Sequence, residues 1–178
     1  ASLLMGNMPE LMRVYTSFIE SQIPYMEINA KHMFGARGIV LPSHSTTRAY
    51  NTLICDWFPG SFWVAGAPWA AHFFYDYYLY TDDKDFLKNH ALPFMEKAAL
   101  FFEDYLYENS EGIYVFSPGQ SPENIPSNSN SQACFNATMD VAAAKELLRN
   151  LISASQELGL NQNKIDTWKS MLEKMPKY

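Results

Sequence analysis

The sequence predicts an all-α protein of about six helices with one short β segment. Three observations support this prediction: apolar residues recur every three or four positions over most of the chain, proline and glycine stand where such segments would begin and end, and clear alternation is confined to one short stretch. The chain has 178 residues, of which 48% are hydrophobic. It is therefore long enough and apolar enough to bury a core as one domain.

The first helical region runs from Asn7 to Phe34. Asn7 can cap it, and Pro9 suits the first turn, where a missing N–H costs nothing. Pro24 predicts a break or kink, because its ring clashes with the preceding turn. Gly35 is typical of a helix end.

Residues 36–60 have mixed patterning and predict a long irregular connection. Residues 61–83 follow as a helical segment with aromatic side chains on nearly every side, which is typical of a helix buried within a larger helical assembly. Thr81 or Asp82 is predicted to cap the next helix, and Pro93 to divide that helix into a short turn and a longer piece.

The alternation of IYVF at 113–116 predicts the short strand. Two amphipathic helices end the chain, and Gly159 closes the first of them. Their predicted buried faces comprise Leu147, Leu151, Ala154 and Leu158 in the first helix, and Ile165, Trp168, Leu172 and Met175 in the second. The loops are long and polar at one end of the helix pairs and short at the other, which is typical of a toroid of helical hairpins with its site on one face.

Charge and motifs exclude several functions. The net charge is −6 with a pI of about 5.1, and no two adjacent residues are both Lys or Arg, which argues against nucleic acid as a partner. No apolar run approaches the length of a membrane span. The sequence has no CxxC, HExxH or other metal-ligand spacing, so we expect no metal and no cofactor. Cys55 and Cys134 do not make a disulfide framework, and the two are predicted to be free thiols, the alternative being a single bond between them in an oxidising compartment.

The polar segment from Ser117 to Thr138 is the most informative part of the sequence. It is rich in Pro, Ser and Asn, and its only carboxylate is Glu123. Loops longer than about 12–15 residues are usually functional or disordered. Pro122 stiffens the backbone before Glu123, and we expect nearby aromatic side chains to desolvate the carboxyl, which raises a carboxyl pKa and suits a general acid. The alternative is that Ser-Pro-Glu-Asn is an ordinary turn.

Aromatic residues are abundant, with 4 Trp, 11 Tyr and 12 Phe. Trp57 and Trp63 fit either the core or a platform that covers a sugar ring. His44 lies in a polar stretch and fits either a ligand contact or a structural hydrogen bond. Asn124 could hold the acid or contact sugar hydroxyls, although a turn asparagine needs no such role. Two further residues are expected to belong to the core: Trp69 and His72.

Several motifs in the same order resemble the catalytic domain of glycoside hydrolase family 95. They are GARGIVLPSH, the block from Gly60 to Leu87, LPFMEKAALFFEDYL, and SPGQSPEN followed by TMD, so the resemblance runs from about Asn7 to Leu160. That family holds inverting α-L-fucosidases and α-L-galactosidases. The resemblance implies part of an (α/α)6 toroid of the six-hairpin glycosidase type, a glycan substrate, no cofactor and Glu123 as the general acid. It also implies a secreted or periplasmic location for the full-length protein.

Two features of the family are absent. The family's general base, an Asp far downstream, and its upstream Asn pair have no match here, and Asp140 matches the Asp of the MD motif, which we expect to cap a helix. The family often has HHNTD where this chain has SHSTT, so His44 is kept while its neighbours differ. Residues 1–178 are therefore expected to be a partial catalytic domain, with the remaining helices outside this chain.

A partial toroid would expose apolar helix faces, so we expect it to belong to a larger molecule or to self-associate through those faces. Two other functions stay open at this point. One is a non-catalytic carbohydrate-binding relative of the same fold, and the other is a helical scaffold for protein contacts.

Overall fold

The computed structural model describes residues 2–45, 47–50 and 59–177. Six helices of twelve residues or more form most of the described part, which confirms the predicted all-α architecture. The helices are α1 Ser2–Met5, α2 Pro9–Ser21, α3 Ile23–Phe34, α4 Gly66–Thr81, α5 Lys84–Phe86, α6 Leu92–Tyr105, α7 Thr138–Leu158 and α8 Gln162–Lys174. A 3-10 helix, Pro59–Phe62, precedes α4, and a π-helical stretch, Leu87–Ala91, joins α5 to α6.

Four short strands accompany the helices in the described part. Strand β1 (Tyr107–Glu108) pairs antiparallel with β2 (Tyr114–Val115), and β3 (Gly119–Gln120) pairs antiparallel with β4 (Ala133–Cys134). The strand predicted at 113–116 is present as β2. The other three were not predicted, and the β3–β4 pair matters most because it closes the long polar loop.

The predicted helix boundaries at proline and glycine are confirmed. Helices α2 and α3 are separated at Gln22, and Pro24 lies in the first turn of α3. Gly35 and Gly159 end α3 and α7 in the left-handed conformation, which glycine adopts without steric cost. Pro93 lies in the first turn of α6.

Two predicted caps are wrong. Asn7 lies one residue too early, and Met8 takes the cap position of α2 without a side-chain hydrogen bond. Neither Thr81 nor Asp82 caps α5; instead Asp83 does, and its Oδ1 accepts a hydrogen bond from the Phe86 N–H at 2.8 Å. Capping depends on the backbone conformation of a single residue, which composition alone does not fix.

The core forms where α4, α6 and α7 meet. Helix α7 packs against α4, α6 and α8, and α4 also packs against α2. Phe74 of α4 and Phe94 of α6 stack with ring centroids 4.6 Å apart. The predicted buried faces hold for Leu147, Leu151 and Ala154, while Leu158 and Leu172 are half-buried.

Helix α2 presents an apolar face to solvent. Leu11, Val14 and Phe18 lie at helical spacing and are exposed, as are Ile28 and Met33 of α3. The expectation that apolar helix faces would be exposed is therefore met in the described part of the chain. Among those residues, none of the helices has the length and hydropathy needed to cross a bilayer.

Candidate functional site

The segment 117–138 is a closed loop anchored on the helical core. At its base, the Phe116 N–H donates to Asn136 Oδ1 at 2.8 Å, and the Asn136 N–H donates to the Phe116 carbonyl at 3.0 Å. The Tyr105 hydroxyl of α6 donates to the Pro118 carbonyl at 2.8 Å. Together with the β3–β4 pair, these bonds give the loop a defined base, so the functional alternative is favoured over disorder.

Glu123 lies in a turn within this loop, as the alternative interpretation of Ser-Pro-Glu-Asn expects. The Asn124 N–H donates to the Ser121 carbonyl at 2.7 Å, and Asn124 Nδ2 donates to Ser121 Oγ at 3.2 Å. The peptide bond between Pro122 and Glu123 is cis. Glu123 is exposed, so the expected desolvation by aromatic neighbours is wrong for the residues that the structure describes. Phe116, at the base of the loop, packs inward against Phe102 and Tyr105 instead.

The desolvated carboxyl of this region is Asp140, which is fully buried. Burial raises the pKa of Asp140 to about 7, and hydrogen bonds from the backbone N–H groups of Gln120 and Ala65 lower it only in part. The Gln120 N–H lies 3.1 Å from Asp140 Oδ2. The expectation that Asp140 caps its own helix is wrong, because the cap residue of α7 is Ala137, which makes no side-chain cap bond. The Asp140 carboxylate instead accepts hydrogen bonds from the start of α4 and from β3, which links both elements to α7.

A signal for this burial is present in the sequence. Asp140 stands four, seven and eleven residues before Ala144, Leu147 and Leu151, so it lies on the apolar face of α7. A carboxylate on the buried stripe of an amphipathic helix needs polar partners from another element. Sequence reasoning missed this residue because the cap interpretation explained it without burial.

Gly119 lets strand β3 approach this carboxylate. A Cβ atom at Gly119 would lie 2.8 Å from Asp140 Oδ2, closer than real Cβ contacts, so any side chain here would push the strand away. Two buried polar atoms of this junction, Gln120 Oε1 and Asp140 Oδ1, lack a hydrogen-bond partner among the described residues. The junction of α4, β3 and α7 is therefore polar and buried, and its hydrogen-bonding groups are only partly paired.

A cavity of about 650 Å³ opens within the loop. Its walls include Ser121 and Asn124 on one side of the loop and Phe135 and Thr138 on the other. Glu123 does not line the cavity, although it stands between two residues that do. The cavity lies within the about 300–1,000 Å³ typical of small-molecule sites.

The other predicted ligand contacts are scattered. Trp63 is 9% exposed, and its ring meets the edge of Trp69 at 5.8 Å, which favours the core interpretation. His44 is exposed, with its Nδ1 3.0 Å from Ser43 Oγ. Neither Trp63 nor His44 lines the cavity, whereas Asn124 does. Trp57 lies outside the described residues.

Two residues expected in the core are at the surface. Trp69 is 47% exposed, and His72 is half-buried between two carboxylates. The His72 Nδ1 is 2.8 Å from Glu146 Oε1, and its Nε2 is 3.2 Å from Asp76 Oδ2. Because α4 is apolar on almost every side, its sequence does not indicate which side faces the neighbouring helices.

The prediction of a free thiol is confirmed for Cys134. Cys134 is a free thiol in β4, and burial raises the pKa of that thiol. Cys55 lies outside the described residues.

Comparison with known proteins gives the fold and the family. The sequence profile of the glycosyl hydrolase family 95 catalytic domain matches residues 3–178. A relative named Alpha-L-fucosidase 2, from Arabidopsis thaliana, is 33% identical over 100 residues, which are 54% of this chain and 12% of that protein. The matched part of the chain thus spans about an eighth of the length of this curated relative.

A solved structure described as a kojibiose phosphorylase from the human microbiome superposes with a TM-score of 0.70 at 14% identity. The superposition covers 87% of this chain and 24% of that structure. At this identity the likeness concerns the fold alone, and with the family match it identifies the helices as part of an (α/α)6 toroid. Since the profile covers nearly the whole chain, the chain belongs to glycosyl hydrolase family 95 and lies in its catalytic domain.

Proposed function

We propose that the chain is part of an inverting exo-glycosidase that releases terminal α-L-fucosyl or α-L-galactosyl residues from glycans. Membership of family 95 and the likeness to a protein named as an α-L-fucosidase support this proposal. The observation that carries it is the placement of Glu123, the only carboxylate of the loop 117–138, next to the wall of the cavity. The reaction needs no cofactor.

In this proposal Glu123 is the general acid. Its carboxyl proton passes to the glycosidic oxygen as the bond from that oxygen to the anomeric carbon breaks. A carboxylate outside this chain removes a proton from water, and that water attacks the anomeric carbon from the opposite face of the ring. The product sugar then has the inverted configuration, and Glu123 is left ionised until solvent protonates it.

Hydrogen bonds from the helical core fix the position of the loop 117–138, which carries Glu123. The Asp140 carboxylate binds the backbone N–H of Gln120, which lies three residues before Glu123. We assign Asn124 a role in contacting substrate hydroxyls, because it follows the acid and lines the cavity. His44, Trp57 and Trp63 remain proposed substrate contacts on the strength of the family resemblance alone. Residues 1–178 would then be a partial domain, and the full-length protein would be secreted or periplasmic.

One observation favours a second candidate, a non-catalytic carbohydrate-binding relative of the same fold. Glu123 is exposed and lies outside the cavity lining, whereas a general acid is commonly held in a water-poor site. A helical scaffold is the third candidate, supported by the exposed apolar face of α2. That face would also mediate self-association or contact with the remaining helices.

A Glu123→Gln variant of the full-length protein tests the proposal. The amide keeps the shape of the side chain but has no transferable proton, so hydrolysis of a fucosylated or galactosylated glycan should fall about 100- to 10,000-fold. Glycan binding should be retained. Glu111→Gln is the matched control, since Glu111 is an exposed carboxylate in the turn between β1 and β2. Hydrolysis undiminished by Glu123→Gln would remove this residue from the acid role, and glycan binding without any hydrolysis by the wild type would favour the binding relative.

A further inference from the structure

The cavity in the loop combines exposed apolar side chains with amide and hydroxyl groups. Phe135 is 71% exposed and Ile125 is 59% exposed, although both belong to a loop that is otherwise polar. Asn124, Asn128 and Thr138 add groups that donate and accept hydrogen bonds. Apolar surface beside a few convergent polar groups is the usual composition of a small-molecule site.

The charge of the lining indicates a neutral ligand. None of the lining residues that the structure describes is Asp, Glu, Lys, Arg or His. The one titratable group is the Cys134 thiol, and burial raises its pKa, so it stays uncharged near neutrality. A charged ligand would find no counter-ion in these walls. A neutral polyhydroxylated ligand would find both hydrogen-bonding groups and an aromatic face.

The same lining indicates which part of a glycan would bind. An inverting glycosidase places two carboxyl groups about the sugar whose bond is cut, separated by about 6.5–9.5 Å. No carboxylate lines this cavity among the described residues, so the acid and base of the reaction are not among its described walls. Glu123 directly precedes Asn124, which lines the cavity, so the backbone of Glu123 adjoins the cavity wall. The cavity therefore adjoins the residue proposed as the acid rather than enclosing it.

We propose that this cavity is the subsite for the leaving-group sugar, with Phe135 as the platform for the sugar ring and with Asn124 and Asn128 bonding to its hydroxyls. The proposal rests on the proposed function, because it takes Glu123 as the group that protonates the departing oxygen. An acid at the rim of the cavity would meet the oxygen that joins the terminal sugar to the sugar in the cavity. Phe135 and Asn128 would thus determine which glycans the enzyme accepts, without taking part in the chemistry.

Two substrates separate leaving-group binding from the rest of the reaction. The first is an oligosaccharide with a terminal α-L-fucosyl residue, and the second is α-L-fucosyl fluoride, whose leaving group has no sugar ring. Phe135→Ala in the full-length protein should raise KM for the oligosaccharide about three- to tenfold, since one aromatic contact is removed. The kcat for the oligosaccharide and both parameters for the fluoride should be unchanged, because the lost contact is with the leaving group only.

Asn128→Ala provides a second variant, with the same expected selectivity for the oligosaccharide. Tyr80→Ala is the control, because Tyr80 is exposed at the far end of α4 and lies outside the cavity. Normal hydrolysis of the fluoride shows that each variant is folded. An oligosaccharide KM unchanged in both cavity variants would overturn the subsite, as would an equal loss on both substrates. Failure of the wild type to hydrolyse either substrate would overturn the proposed function and the subsite with it.

Discussion

The carboxylate in the loop 117–138 and the carboxylate that supports this loop from α7 lie in very different environments. Glu123 is exposed in a turn, whereas Asp140 is fully buried and holds the backbone of Gln120 and Ala65. Burial penalises the ionised form of Asp140, which is why its pKa rises to about 7. The protonation of Asp140, which supports the loop, therefore changes near neutral pH. Its protonation state affects stability, and that effect can be measured.

Asp140→Asn should change how stability depends on pH. The folded pKa of Asp140 is raised above the unfolded value, so its favourable contribution is complete below the unfolded pKa and is lost as the pH rises through about 7. Between about pH 5 and pH 8 this group should therefore cost the wild type about 2–3 kcal/mol of unfolding free energy. The Asp140→Asn variant has no carboxyl at this position, so its unfolding free energy should not fall in this way as the pH rises. Denaturant unfolding of both proteins at the two pH values measures the difference, and parallel pH dependence would contradict the buried, neutral carboxyl.

At the scale of elements, α8 is attached to the core through one large side chain. Trp168 is 1% exposed, and its Nε1 donates to Glu103 Oε1 of α6 at 3.3 Å. Ile165 and Met171 flank it on the same buried face. The face was predictable from the sequence because α8 is amphipathic, with polar residues covering its other side. Most of the attachment of α8 should therefore depend on Trp168.

Trp168→Ala should lower the unfolding free energy by about 3–5 kcal/mol, because it leaves a cavity between α6, α7 and α8. Lys169→Ala is the neighbouring control on the exposed face, and its effect should stay within about 0.5 kcal/mol. Urea unfolding of the two variants beside the wild type gives both values. Equal effects of the two substitutions would mean that α8 is not anchored through its tryptophan.

The elements also illustrate where sequence reasoning succeeds. Pro24, Gly35 and Gly159 mark helix boundaries correctly, because the covalent geometry of proline and glycine acts locally. The partners of Asp140 were not predictable in the same way, since Ala65 is distant in sequence and meets Asp140 only through the packing of α4 on α7. A hydrogen bond between distant segments leaves no local pattern in composition.

Helix α4 shows a different cause of error. Its side chains are apolar almost all round, so periodicity does not distinguish the side that faces α6 and α7 from the side that faces solvent. Trp69 was expected in the core on that basis, and the structure exposes it by 47%. The strands β3 and β4 were missed because each lies in a polar stretch of the loop, where no apolar alternation marks a strand.

For the whole molecule, helices that form part of a toroid carry one long loop with Glu123, a buried carboxylate below the loop and a cavity beside Glu123. The fold and the family follow from the helical pattern and the motifs, and both are established by comparison. The chemistry depends on the role of Glu123. Exposure of this side chain argues for binding alone, while its motif and its position beside the cavity argue for catalysis.

Hydrolysis of two substrates by the Glu123→Gln variant of the full-length protein decides between catalysis and binding alone. A fluoride ion departs with little need for protonation, whereas a sugar alkoxide requires an acid. The account predicts that Glu123→Gln hydrolyses α-L-fucosyl fluoride nearly as fast as the wild type while its kcat on a fucosylated oligosaccharide falls at least about 100-fold. Equal rates of the variant and the wild type on both substrates would contradict the assignment of Glu123 as the general acid.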